Sequence, residues 1–378
     1  MSQIKRKKFY LLHKFVLLVL SSICVFSIPA RCDEPVRALF VSVVQDPPVL
    51  SSREEITKLI DLSKKAHIKI LFVQIYRADQ AWFLSKIADP APYKESFKNV
   101  LEDPLALLIK QAHREGIEVH AWLNLLSLAK NTNANFLKKY GTDILTQNLQ
   151  QKKRLEDYKI DEQYFLEPGD PRVKKDLTKI VKEILRTYPE LDGIQFDYIR
   201  YPDMKPHYGY TKVNEQRFMK ATGLKIIDEE SPVWKDWKRK QVTELLAGLV
   251  KATRSLRPHI QVSTTGCMPY VRAYYEAYQD WPTWISQGLV DFVTIMSYSP
   301  DVKEFERTIL TAKTKVKDIS KIKIGVGAYR FVNSPKIFEA EFRSCEKMGG
   351  TCAVFHYGSL LENSEMKDFL INREKSSH

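Results

Sequence analysis

Apolar runs of strand length alternate with longer amphipathic segments along most of the chain, and that rhythm restricts the fold more than any other feature. Strands buried on both faces read as unbroken apolar runs, and repeated strand–helix units build a parallel sheet. The first run is RALFVSVV (37–44). A helix follows it, opened by Ser52 with Glu55 three residues on, the spacing of a capping box. The second run is KILFVQIY (69–76), and a loop with Pro90 and Pro92 leads to a helix over 104–115, closed by Gly116. Further strands are predicted over 117–125, 193–196, 260–265, 292–297, 322–326 and 352–356. Helices are expected over 172–187, with Asp170 as N-cap, and over 232–256, 283–287, 302–315, 335–348 and about 364–369. Eight such units in order predict an α/β fold, a (β/α)8 TIM barrel over residues 36–372, with long inserts after strands two, three and four. An open doubly wound sheet would carry a Gly-rich phosphate loop after its first strand, where this chain has VQDPPVLSS.

Residues 1–32 read as a signal peptide. Lys5, Arg6, Lys7, Lys8 and Lys14 precede an apolar stretch over 15–28, and Ala30-Arg31-Cys32 offers a cleavage site. The expected location is therefore secreted, in the periplasm or cell envelope. The alternative is an uncleaved N-terminal membrane tether. Six Lys and Arg and no acid lie in this segment, so the net charge of +13 falls to +7 once it is removed. The remaining basic residues are spread along helices rather than clustered, which argues against a nucleic-acid partner. Three cysteines follow: Cys267, Cys345 and Cys352. The last two either pair in an oxidising compartment or stay as buried thiols. No Cys/His spacing suggests a metal site, and no cofactor motif is present.

A barrel enzyme places its chemistry at the C-terminal ends of its strands. Those ends carry Gln74, Tyr76, Arg77 and Asp79; His120, Trp122 and Asn124; Asp197, Tyr198, Arg200 and Tyr201; Thr265; Met296 and Tyr298; Tyr329 and Arg330; and His356 and Tyr357. Flat aromatic faces pack on the C–H face of a sugar ring, and planar polar groups bond its hydroxyls, so the mixture points to a polysaccharide. The segment DGIQFDYIRYP (192–202) is the sharpest signal, with an apolar strand running straight into Asp197 and Arg200 placed to favour its charged form. Asp197 is the expected catalytic carboxylate. Glycoside hydrolysis uses two carboxyl groups, and Asp280, Asp79, Asp46 and Asp301 are the candidate partners, the first two ahead. Asp280 sits in QDWPTW (279–284), where Trp281 and Trp284 would desolvate it; it could equally cap the helix that follows. Substrate-binding candidates are Tyr198, Arg200, Tyr201, Gln74, Arg77, Trp122, Asn124, Trp281, Tyr298 and Tyr357.

FVQIYRADQAWFLS (72–85), EVHAWLN (118–124), FLEPGDPRV (165–173), DGIQFDYIRYP (192–202), QDWPTWISQGLVDFVTIMSY (279–298) and AVFHYGSL (353–360) together resemble the glycosyl-hydrolase-like 10 family of bacterial barrel proteins. The resemblance covers about 36–360. It implies a (β/α)8 barrel, secretion, and cleavage of glycan strands such as peptidoglycan stripped of its peptides. Two departures stand out. Family members more often carry Arg-Gly-Asp after the second strand, where this chain has Arg77-Ala78-Asp79. Chitinase-like barrels carry acids where this chain has Gln195 and Ile199, which argues against a chitinase mechanism and leaves the acid open. The rival functional class is a glycan-binding envelope protein without catalysis. A hydrolase of esters or phosphates lacks its Gly-x-Ser-x-Gly elbow or metal cluster here.

Overall fold

The computed structural model describes residues 36–372. The proposed signal segment lies outside the described residues. Eight parallel strands close on themselves: β1 (Arg37–Val41), β2 (Ile68–Arg77), β3 (Glu118–Asn124), β4 (Gly193–Asp197), β5 (Gln261–Gly266), β6 (Phe292–Ser297), β7 (Ile322–Val326) and β8 (Thr351–Val354). Each pairs with the next, and β1 pairs with both β8 and β2 to complete the ring. The main helices are α1 (Arg53–Lys65), α2 (Pro104–Arg114), α3 (Pro171–Thr187), α4 (Pro232–Leu256), α5 (Trp281–Ser286), α6 (Val302–Lys315), α7 (Pro335–Lys347) and α8 (Ser364–Asn372). The fold is the expected TIM barrel.

Alternation along the strands divides the core in two. Ala38, Phe40, Ile70, Phe72, Trp122, Phe292 and Ala353 pack together inside the barrel. Their neighbours Leu39, Val41, Leu71 and Val73 face outward and join the layer under the helices. α3 illustrates how that layer is held. Val173, Leu177, Ile180, Val181 and Ile184 recur at helical spacing and are fully buried, each contributing about 1.5–3 kcal/mol of apolar transfer. Asp170 caps the helix by accepting from Arg172 N at 2.8 Å, with Pro171 in the first position.

The inserts fall where expected and have structure of their own. The loop after β2 holds a short antiparallel strand, Gln80–Ala81, and a helix, Ala91–Val100. The loop after β3 holds the paired strands Ser127–Ala129 and Tyr164–Phe165 and the helix Asn135–Tyr140. The loop after β4 holds the helix Lys212–Thr222.

The ring is fastened where its first strand meets its last helices. The Arg37 guanidinium donates to Ala66 O at 3.0 Å and to Leu370 O at 3.2 Å, and pairs with Glu346 at 3.3 Å. Cys345 and Cys352 form a disulfide joining the end of α7 to β8. Cys267 is a buried free thiol.

Candidate active site

β4 carries alternate side chains to the two layers. Ile194 and Phe196 face the helices, so Gly193, Gln195 and Asp197 face the barrel axis. Gly193 is required there, because a Cβ would lie 2.1 Å from the His120 ring. Gln195 donates across the interior to Thr294 Oγ1 at 2.9 Å. Asp197 is the last of the series and lies over the mouth of the barrel.

Its carboxylate is gripped from three strands. Oδ2 accepts from Trp122 Nε1 of β3 at 3.0 Å. Oδ1 accepts from Thr265 Oγ1 of β5 and from Tyr198 N at 2.7 Å. Arg200 Nη1 stands 3.5 Å from Oδ1. Arg200 in turn lies over the Tyr198 ring, 4.2 Å from its centroid, and Phe165 stacks near the same ring at 6.3 Å between centroids. The chain turns sharply here: Tyr198 has φ +56°, a left-handed conformation that costs a non-glycine residue roughly 1–3 kcal/mol. Side chains elsewhere over-determine that turn, since the Tyr201 hydroxyl donates to the buried Glu167 at 2.6 Å.

An aromatic wall rises beside the carboxylate. Phe355, at the end of β8, has its centroid 5.9 Å from Trp122, 5.4 Å from Tyr298 and 5.8 Å from Tyr329. Burial, followed by the Asp197 charge, pushes the Tyr298 phenol well above its usual range. Next to this wall a cavity of about 360 Å³ opens, lined by Arg200, Asp203, Arg272, Tyr298 and Arg330 among others. Asp203 Oδ2 pairs with Arg272 at 3.2 Å, while its Oδ1 has no partner. Arg200, Arg272, Asp197 and Asp203 all act electrostatically on the buried Cys267 thiol, which burial above all pushes up to about 11.

The structure thus gathers Asp197, Tyr198, Arg200, Trp122, Asn124 and Tyr298 at one place. Asn124 is the direct strand neighbour of Asp197 and its Oδ1 is unpartnered. Arg77 belongs to the same rim, close enough for its charge to act on the Tyr198 hydroxyl. Other expected residues fall elsewhere. Asp79 turns back into the insert after β2, where it accepts from Tyr76 Oη at 3.2 Å and Phe136 N at 3.1 Å and is 1% exposed. Burial pushes it up to about 6. Asp280 accepts from Tyr270 Oη at 2.8 Å, on the outer flank where Lys315 lies 5.5 Å from the Tyr270 ring. It begins α5 without capping it through its side chain. Tyr201, Trp281 and Tyr357 are buried in the body of the protein, and Trp281 Nε1 bonds Cys267 O at 3.3 Å. Gln74 faces inward, but its amide oxygen is occupied by Ser42 Oγ and Val43 N, both at 3.2 Å. Its neighbours, and not a sugar, satisfy that oxygen. Asp203, Arg272 and Phe355 are the residues that strand-end reasoning passed over. Asp203 follows directly on IRYP (199–202), so its position one step past the motif was the available signal.

The model of the family described as Glycosyl hydrolase-like 10 matches residues 35–344. The chain belongs to that family. Among curated proteins, this family member is similar to "Glycosyl hydrolase DigH" of Escherichia coli strain K12, with 24% identity over 81% of this chain and 76% of that one. It is also similar to "Glycosyl hydrolase YngK" of Bacillus subtilis strain 168, with 22% identity over 75% of this chain and 59% of that one. Among solved structures, the glycoside hydrolase domain of PgaB (BpsB) from Bordetella bronchiseptica superimposes with a TM-score of 0.65 at 14% identity, covering 89% of this chain and 98% of that domain. That likeness is one of fold. As a Glycosyl hydrolase-like 10 protein with a barrel-mouth carboxylate, the chain is a glycosidase, a hydrolase acting on glycan.

Proposed function

We propose that this glycosidase cleaves glycosidic bonds in a bacterial cell-wall glycan, peptidoglycan strands freed of stem peptides, with Asp197 and Asp203 as its working carboxyl pair. The observation that carries the reading is the carboxylate of Asp197, fixed by three hydrogen bonds at the end of β4, next to Arg200, which lines a cavity that holds a second acid. An acid accepting three hydrogen bonds beside a guanidinium suits the acceptor-only role of nucleophile or base. Asp203, a residue of the cavity lining whose buried Oδ1 has no hydrogen-bond partner, is the second acid available to the leaving-group oxygen or a water. Tyr298 and Phe355, both half-buried, supply flat faces for sugar rings, the buried Trp122 fixes the carboxylate, and Asn124 and Arg77 supply polar contacts. The Cys345–Cys352 disulfide supports an oxidising compartment such as the periplasm, in line with a cleaved or tethering N-terminal segment. Among the described residues no helix is long and apolar enough to cross a membrane.

The deciding experiment incubates wild type and Asp197→Asn with purified denuded glycan strands and reads the products by mass spectrometry. Wild type should release oligosaccharides and the variant should not, with both unfolding at the same temperature. Equal release by the variant removes Asp197 from the mechanism. One observation favours a second reading, a glycan-binding envelope protein: both Asp197 oxygens are already hydrogen-bonded and the residue is only 5% exposed. Retention on sacculi without any released sugar would select it.

A further inference from the structure

The cavity beside Asp197 contains more positive charge than the catalytic pair needs. Arg200 stands against Asp197, Arg272 is paired with Asp203, and Glu304 on the opposite wall is paired with Arg307. Arg330, on the turn after β7, lines the same cavity and has no ion pair among the described residues. Its charge acts on Glu341, which is fully buried with both oxygens unpartnered. Burial pushes that carboxyl up to about 8, so at neutral pH it carries a proton and does not offset the guanidinium.

Donors as well as charge are left over. Arg200 Nη1 is buried without a hydrogen-bond partner, its approach to Asp197 being an ion pair at 3.5 Å and no more. Arg272 Nε and Ser297 Oγ are likewise buried and unpartnered, and both residues line the cavity. A buried donor left without an acceptor costs about 1–3 kcal/mol, and these three belong to residues that line one space. Guanidiniums match a planar two-oxygen acceptor best. With each other cation matched by an acid, the surplus is a single positive charge, which suits a monoanion. A phosphate dianion would be repelled by Asp203 and Glu304 at the same walls.

We propose that this cavity is a subsite for a carboxylate carried on the sugar next to the bond that is cut, held by Arg330 at the rim and by the free donors of Arg272 and Ser297 within. The proposal rests on the hydrolase reading and sharpens it. A lactyl ether freed of its peptide supplies such a carboxylate, and so does a hexuronic acid. An intact stem peptide turns the lactyl carboxylate into an uncharged amide and adds bulk, so the subsite would itself discriminate against peptide-bearing strands.

The test measures binding calorimetrically on the full chain, independently of turnover. The probes are an N-acetylglucosamine–N-acetylmuramic acid tetrasaccharide, its methylamide, and a hexuronic acid tetrasaccharide; products are read in parallel. The free acid should bind at least tenfold more tightly than the methylamide, with an advantage that shrinks as salt rises. Arg330→Gln should bring the ratio of the two affinities close to one. Tighter binding of the uronic acid oligomer than of the muramic acid oligomer would keep the subsite and reassign its ligand. Equal affinity for acid and amide overturns the subsite while any released sugar leaves the hydrolase reading intact. An acid preference with no released sugar does the reverse, and binding of none of the probes overturns both.

Discussion

Two strand ends in this barrel carry the same ingredients and come out differently. β2 runs into Arg77-Ala78-Asp79 and β4 into Asp197-Tyr198-Ile199-Arg200. In both, the chain enters the left-handed region straight after the strand, at Ala78 and Asp79 in one and at Tyr198 in the other. After β2 the turn folds the acid backward into its own insert, against a backbone N–H and a phenol, where burial raises its pKa. After β4 the acid stays on the strand, its charge faced by Arg200 and its oxygens fixed by Trp122 and Thr265. The lesson is that an acid and an arginine at a strand end do not define a catalytic site. Whether the acid is the last inward residue of the strand or part of the turn decides which way it points.

That contrast can be broken by measurement. The largest effect is expected from Asp197→Asn, which should lower kcat on glycan strands about 10³–10⁴-fold with little change in unfolding temperature; a loss below tenfold would erase the distinction between the two ends. Asp203→Asn should cost about 10²–10³-fold in kcat, and an unchanged rate would send the search for the second carboxyl elsewhere. Asp79 should speak through stability instead. Its pKa lies at about 6 in the fold against 3.8 for the free group. The folded state therefore holds the proton more tightly than the unfolded chain, so the contribution is full below pH 4 and lost as pH rises through 6. Between pH 4 and 7 wild type should lose about 2 kcal/mol more than Asp79→Asn in urea unfolding, with kcat within threefold. Parallel pH dependences in the two proteins would refute the assignment. The smallest effect belongs to Asp280→Asn, under twofold in kcat/KM and about 1 kcal/mol or less in stability, from one lost hydrogen bond to Tyr270.

Most of the barrel was legible because its strands are buried on both sides. β6 and β7, and the helices α4 and α6, begin and end where the apolar pattern says. The short strands Gln80–Ala81 and Ser127–Ala129 were not legible: two or three residues hold no period, and they pair only because the inserts fold back on themselves. The site divided along the same line. Asp197 and Trp122 could be placed because strand geometry fixes where they point, and Arg200 because it follows three residues behind the acid it pairs with. Tyr201, Trp281 and Tyr357 could not, since strand position says nothing about whether a following aromatic turns inward, as all three do. Asp203 and Arg272 meet across two different loops, and no local pattern in either encodes their contact.

The fastening at Arg37 has a consequence for assembly. Its guanidinium reaches carbonyl oxygens at residues 66 and 370, and its strand pairs with the eighth. The first stave of the cask is therefore held on one side by the second and on the other by the last. A chain emerging from its N-terminus must hold an open, curling ribbon until its final helix arrives. Deleting α8 would thus loosen the opposite end of the sequence first, and hydrogen exchange in β1 is where that loosening would register.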